Sequence, residues 1–257
     1  MQYDLTKPNT GRTIDYWLGG THNFEIDRQF ADRIAAQWPL TPKQCIDERR
    51  RIKLSVQSHF AHGIRAIVDF GSGLPTCGNT HIAAHELDPE IRVVYCDIDP
   101  VTTAYGQEIL LGQPNVVFLN GDAANPLTIL EAPETRALLG DNRLIGINFM
   151  FLLHMMTDEQ LRDAWQTLYA WAAPGSRMTL TVPSQLWETN AYMNRIVQSY
   201  RRANIGSQYR SPAEIEKLLT PWKLTAEGIE EVNPTEIPDG DTIQIVNISY
   251  TMTVYKE

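Results

Sequence analysis

The sequence lacks most of the features that mark a membrane, secreted or nucleic-acid-binding chain. No apolar run approaches the roughly 20 residues that span a bilayer, so neither a membrane helix nor a membrane partner is expected. The segment MQYDLTKPNTGR has no apolar stretch of the kind that directs secretion, and a cytoplasmic location is the default expectation. Cysteine is scarce and scattered: Cys45, Cys77 and Cys96 form no C-x-x-C pair, which argues against a disulfide framework or a structural zinc site. Positive charge is short as well. With a net charge of −9 the chain has no excess for neutralising phosphates. Its densest basic cluster, Arg49-Arg50-Arg51 with Lys53, shares a helix with Asp47 and Glu48 and reads as a solvated face. Nucleic acid is therefore not an expected partner. Nothing in the composition speaks to oligomeric state.

What remains is an ordinary globular composition. At 257 residues, 43% hydrophobic and 21% charged, the chain is long enough to bury one large core. The first 60 residues read as mostly helical, with Gly19-Gly20 as a break and Trp38–Pro42 as a turn. Thr41 is placed to cap a helix that starts at Pro42 and runs to about His62.

Strands and helices then alternate. Ala66–Phe70, Arg92–Cys96, Val116–Leu119, Leu144–Phe151 and Met178–Val182 are short apolar runs. Helices are expected between them, over Asn79–Leu87, Val101–Leu111, Pro126–Leu139 and Thr157–Ala172. Such runs predict a mainly parallel sheet covered on both faces. Two further extended segments, Trp222–Glu230 and Ile243–Tyr255, are joined by the Pro/Gly/Asp-rich stretch Asn233–Asp241. They have no room for a crossover helix, so they should pair antiparallel. The expected fold is an α/β, Rossmann-like doubly wound sheet of about seven strands, mostly parallel with a C-terminal antiparallel strand. A helical N-terminal extension, residues 1–62, precedes the main domain, 63–257.

The chemistry concentrates at strand ends. Asp69-Phe70-Gly71-Ser72-Gly73 ends the first strand with an acid and a Gly-x-Gly turn, whose glycines permit positive φ and close backbone approach to a ligand. A dinucleotide site wants a third glycine where Thr76 stands. A carboxylate at Asp69 would also repel a pyrophosphate, yet it attracts a methionyl ammonium group. Asp97, at the end of the second strand, is placed to accept both hydroxyls of a ribose. Asp99-Pro100 reads equally as a ligand contact and as a helix N-cap. Gly121-Asp122, after the third strand, is placed for an adenine amino group. Three acids on one sheet edge together point to S-adenosylmethionine. Ile98, Ala123 and Asn148 complete the expected cofactor set on that edge.

These residues resemble the Rossmann-like class I methyltransferases. Arg12-Thr13-Ile14-Asp15-Tyr16-Trp17-Leu18-Gly19-Gly20, with Asn23-Phe24, more narrowly resembles an actinobacterial-type S-adenosyl methyltransferase family once catalogued as a domain of unknown function. The same family carries the D-x-G-x-G-x-P-T-x-x-N-x-H pattern matched by Asp69 through Thr76, Asn79 and His81. The resemblance spans roughly residues 8 to 185. It implies a leader folded over the cofactor, which nominates Tyr16, Gly19, Gly20 and Asn23. Ile14 stands where the leader's first tyrosine is usual, Thr21-His22 where Lys-Asp is common, and Glu231-Val232-Asn233-Pro234 where a W-R-P pattern often occurs.

His81 and His85 share a helix face at i, i+4, but H-E-x-x-H and a third ligand are missing, so no metal is expected. His154 follows the fourth strand, whose end faces the methyl group in this fold, and is either a general base or a packed helix-terminal residue. Phe149, Phe151, Trp187 and Tyr192 suggest an apolar acceptor pocket, with residues 184–221 as a helical substrate cover. Arg201 or Arg202 on that cover would hold a substrate carboxylate, or else lie in solvent. The leading expectation is a methyltransferase that acts at oxygen or nitrogen of a small, partly apolar molecule, converting S-adenosylmethionine to S-adenosylhomocysteine. A protein that binds the cofactor without methyl transfer is the alternative. A nicotinamide-dependent oxidoreductase is disfavoured by Asp69, Thr76 and the antiparallel tail.

Overall fold

Strands apolar on both faces have to be covered on both sides, and that requirement organises this molecule. The computed structural model describes residues 6–203, 205–206, 208–239 and 242–257. Its seven strands are β1 (Ala66–Phe70), β2 (Arg92–Asp97), β3 (Val116–Asn120), β4 (Gly146–Phe149), β5 (Arg177–Pro183), β6 (Lys223–Asp239) and β7 (Thr242–Tyr255). They form one sheet in the order β3-β2-β1-β4-β5-β7-β6. β1 to β5 run parallel, and β7 is antiparallel to both β5 and β6. The expected sheet is the one found. Strand order reverses between β1 and β4, and the crevice at such a switch point is where ligands bind.

Side-chain alternation sorts the layers. Val68, Phe70, Ile147 and Phe149 face α6 (Pro126–Leu130), α7 (Pro133–Leu139), α8 (Asp158–Trp171) and α11 (Pro212–Leu218). Ile67, Val93 and Tyr95 face α3 (Thr41–Ala61), α4 (Thr80–His85) and α5 (Pro100–Ile109). A third cluster lies beyond the sheet's C-terminal edge. There Phe30, Ile34 and Trp38 of α2 (Glu25–Gln37) and its end meet Trp187 of α9 (Leu186–Thr189) and Met193 and Ile196 of α10 (Ala191–Arg202). β5 stops pairing at Pro183 opposite Ser249, but β6 and β7 stay paired out to Asp239 and Thr242. The projecting hairpin contributes Ile237 and Ile248 to this cap.

Several boundaries differ from expectation, each for a local reason. The helix expected over Pro126–Leu139 is two helices, because Pro133 cannot donate in a helix interior and instead starts α7. Thr41 is the first residue of α3, and its hydroxyl donates back to the Trp38 carbonyl at 2.9 Å rather than capping. The Asn233–Asp241 connector is mostly strand: Pro234 and Pro238 sit in β6, an edge strand where a missing N–H costs nothing. Gly240 and Asp241, the rest of that connector, lie outside the described residues. Within the N-terminal extension, α1 (Thr10–Trp17) and α2 lie over the sheet edge, whereas α3 buries Ile52 and Val56 against the sheet itself. Among the described residues no helix is long and apolar enough to cross a membrane.

Candidate functional site

The C-terminal ends of β1, β2 and β3 open into one cavity of about 360 Å³. At this end it is lined by Asp69, Gly71, Gly73, Asp97, Ile98, Gly121, Asp122 and Ala123. Gly71 and Gly73 have φ of +64° and +63°, a region that L side chains avoid. A Cβ at Gly71 would also lie 2.7 Å from Leu152 Cδ1. The turn therefore leaves a shallow cradle that any larger residue would fill.

Asp97 is locked between two turns. Its Oδ2 accepts from Gly73 N at 3.0 Å and its Oδ1 from Asp99 N at 3.0 Å. Burial nevertheless pushes its carboxyl up to about 6, and these backbone donors only partly oppose that. Asp69 is likewise raised to about 6 by burial, although the Thr80 hydroxyl donates to it at 2.5 Å. Asp122 Oδ1 accepts from Ala124 N at 2.9 Å. Three carboxylates, Asp69, Asp97 and Asp122, thus share one wall. That set of acceptors fits the hydroxyl, amino and ammonium groups of S-adenosylmethionine.

The leader reaches this wall differently from expectation. Arg12 Nε donates to Asp27 Oδ2 at 2.8 Å and its Nη1 to Asp99 Oδ2 at 3.2 Å. Asp15 accepts from the Thr76 hydroxyl at 2.8 Å, from His22 N at 2.8 Å and from Asn23 Nδ2 at 2.9 Å. The leader's polar residues are thus clamps that hold α1 on the glycine turn and on the end of β2. The cavity itself receives Asn9, Thr10, Gly11, Ile14 and Trp17. A Cβ on Gly11 would come within 3.4 Å of Gly73 Cα, so the two backbones nearly touch.

Some nominated residues lie off the cavity lining. Tyr16 turns outward to donate to Asp32. Asn23 is held by Asp15 and the Gly20 carbonyl. Gly19, at φ +81°, terminates α1, and a Cβ on Gly20 would lie 2.0 Å from Asp15 Oδ1. Asp99 caps α5, accepting from Thr102 N at 3.0 Å. Asn148 faces away under α3, where its Oδ1 accepts from Ser55 Oγ at 2.7 Å and neighbours His59 Nε2. Phe149 is core, stacked on Phe70 with ring centroids 5.0 Å apart. Tyr192 donates to the Gln37 carbonyl at 3.0 Å and packs on Trp38.

The other end of the cavity lies under β4, β5, β7 and the cap. Phe151, His154 and Trp187 line it. Phe151 has φ +53°, and its N–H donates to the Thr181 hydroxyl at 2.7 Å. His154 packs against Phe151 and Tyr209. Burial, helped by the nearby Arg210 charge, lowers it to about 4, so the ring is neutral at physiological pH. Sequence reasoning missed Gln44, Cys45, Glu48, Arg49 and Ile52, which line the cavity along one side of α3. Their i, i+3/i+4 spacing was the available signal. Arg201 pairs with Glu188, and Arg202 is exposed. His81 and His85 bond the Tyr95 hydroxyl and the Ile91 carbonyl, and no metal-ligand cluster occurs among the described residues.

Comparison with known proteins agrees with this geometry. The profile of a family described as S-adenosyl methyltransferase matches residues 1–248. A candidate methyltransferase from Thermobifida fusca YX is 28% identical, with a TM-score of 0.85 over 99% of this chain and 97% of its own. A DUF574 family protein from Streptomyces avermitilis MA-4680 is 26% identical, with a TM-score of 0.86 over the whole of both chains. The magnesium protoporphyrin IX methyltransferase of Synechocystis PCC 6803, solved with S-adenosylhomocysteine, shares the fold at 14% identity, with a TM-score of 0.53 over 97% of this chain and 100% of its own. No curated protein matches the chain. The chain belongs to the S-adenosyl methyltransferase family, and S-adenosylmethionine is its methyl donor.

Proposed function

We propose that the protein methylates an oxygen, or second to that a nitrogen, of a small and partly apolar molecule. One observation carries this reading: the cavity that begins at Asp69, Asp97 and Asp122 continues without interruption into an apolar half beneath the cap. Strand order separates the two halves, since β1 to β3 end at one side and β4, β5 and β7 at the other.

In this reading Asp97 takes the ribose hydroxyls, Asp122 the adenine amino group, and Asp69 the methionyl ammonium. Arg49, whose charge acts on Asp69, is placed for the methionyl carboxylate. When bound, the donor supplies an electrophilic methyl group on a sulfonium sulfur. The chain's own work is then positioning, because in-line displacement depends on alignment of the reacting atoms. Phe151 and Trp187 wall the acceptor half. Calorimetry with S-adenosylmethionine and S-adenosylhomocysteine tests the reading. Both should bind, and a well-folded protein that binds neither would refute it.

A further inference from the structure

Glu48 is an odd residue to find at the apolar end of this cavity. Its Oε1 is engaged, 3.4 Å from Arg51 Nε and 3.4 Å from Asn233 Nδ2. Its Oε2 is buried with no hydrogen-bond partner. An acceptor left unpaired in a buried site carries a desolvation cost, which a ligand donor would remove. Three other cavity-lining atoms share that condition: Trp17 Nε1, Gln44 Nε2 and His154 Nδ1. They stand among the rings of Trp17, Phe151, Trp187, Tyr200 and Tyr209.

We propose that Glu48 is the proton acceptor of the methyl-transfer reaction, and that the acceptor molecule is a phenol bound with its hydroxyl on Glu48 Oε2. This rests on the methyl-transfer reading above. The flanking rings favour a flat aromatic body, and Trp17 Nε1 and Gln44 Nε2 offer donors to a carbonyl or ring oxygen on it. Position supports the assignment. The Thr181 hydroxyl, which receives the Phe151 N–H, lies within electrostatic reach of Glu48 without closing a hydrogen bond to Oε2. Glu48 therefore lies near the ends of β4 and β5, where the methyl group is expected.

The chemistry narrows the class further. The negative carboxylate repels a carboxylate acceptor. It would hold an aliphatic amine as its ammonium form, which has no free lone pair to attack carbon. An aliphatic alcohol is too weak an acid for a carboxylate base, whereas a phenol is within reach. The phenol gives its proton to Glu48 Oε2, its oxygen forms the bond to the methyl carbon, and the carbon–sulfur bond breaks with its electron pair on sulfur. The products are a methyl ether and S-adenosylhomocysteine, and the proton leaves Glu48 for solvent.

Burial holds the Glu48 carboxyl above its ordinary range, opposed mainly by Arg51. Asp69 and Asp97, at the donor end of the same cavity, titrate at about 6 in the free protein, and saturating S-adenosylhomocysteine, which favours their ionised forms, holds them charged. The groups beside Glu48 are silent near neutrality. Burial pushes Cys45, on the same helix, up to about 12 and raises Tyr200 and Tyr209, across the cavity, well above their usual values. His154 lies at about 4. Thr181 of β5 and Asn233 of β6 do not titrate. Burial lowers His154, the base that sequence position suggests, and raises Glu48.

The test uses the full chain saturated with S-adenosylhomocysteine, with 7-hydroxycoumarin and its methyl ether 7-methoxycoumarin as probes. In the wild type, hydroxycoumarin affinity should rise with pH as Glu48 ionises, below the probe's own ionisation, with proton release. Methoxycoumarin affinity should stay flat. Glu48→Gln should bind hydroxycoumarin without pH dependence. With methyl-labelled S-adenosylmethionine it should lower kcat on hydroxycoumarin ~10²-fold or more at similar KM. Glu48→Asp, which keeps the charge one methylene further back, should keep the pH dependence with weaker binding, and it serves if Glu48→Gln does not fold. Unchanged pH dependence in Glu48→Gln, or its loss in Glu48→Asp, overturns the base assignment. Failure of protein that binds S-adenosylhomocysteine to take 7-hydroxycoumarin overturns the phenol class while leaving the methyl-transfer reading standing.

Discussion

Asp97 and Asp69 are ionised at a cost in the free protein, and the cost has a sign that can be checked. Burial raises both carboxyls from 3.8 to about 6. In a folded state that prefers the protonated form, their stabilising contribution is complete below the unfolded value and is lost as pH rises through about 6. Donor binding runs the other way, since ribose hydroxyls and an ammonium group both favour the ionised carboxylates. Affinity for S-adenosylhomocysteine should therefore be steady above pH 7 and weaken from pH 7 to 5, with protons released on binding near pH 6. Calorimetry in buffers of different ionisation enthalpy measures both. Asp97→Ala removes a buried polar contact worth about 1–3 kcal/mol and should cost tenfold or more in affinity; an unchanged Kd would refute the ribose assignment. His154→Gln should leave any pH limb above 5 intact, because the ring is already neutral there. At this scale the sequence was most informative where an acid ends a strand, since backbone geometry alone decides which edge it occupies. Asn148 and Phe149 are expected at the cavity but lie off it, on opposite faces of the sheet. A four-residue strand alternates faces, and only α3 and α8 settle which face is which.

The leader is the element whose role changed most between sequence and structure. Its motif reads as cofactor contact, but Arg12, Asp15, Asn23 and Asp27 bond one another, Thr76 and Asp99. Such long-range pairing leaves no periodic trace, so spacing could not reveal it. The Arg12 and Asp27 side chains are 2% and 0% exposed. Removing one partner of a buried pair strands the other charge and costs ~3–5 kcal/mol. Arg12→Ala should lower stability to urea by that order and also weaken S-adenosylhomocysteine binding, since α1 would lose its anchor on Asp99. Loss of stability with unchanged affinity would mean that α1 does not cover the donor. The strands, by contrast, were legible as elements, because their apolar runs are bounded by glycine, proline and acid. β6 was the exception: Pro234 and Pro238 look like a linker until the edge position that tolerates them is known.

Across the whole molecule, the cavity joins parts of the chain that are far apart in sequence. Residues from α1, α3, the ends of β1 to β5 and the projecting β6–β7 hairpin line it together. The cap over it has a core of its own, in which Phe30, Ile34 and Trp38 from the N-terminal part interlock with Trp187, Met193 and Ile196 from residues 184–221. Two segments that share one apolar core cannot open independently without exposing it, at ~25 cal/mol for each Å² uncovered. Cap opening should therefore be a single cooperative event rather than two separate loop motions. A ligand at 100 times its Kd stabilises the bound state by ~2.7 kcal/mol, and an opening that must release the ligand slows by the same factor. Saturating S-adenosylhomocysteine should slow amide hydrogen exchange in α2 and α10 by equal factors, although the leader's clamps reach the donor wall and α10 does not. Protection confined to α1 and α2 would show the helical cover moving on its own. Equal protection would make leader and cover one lid.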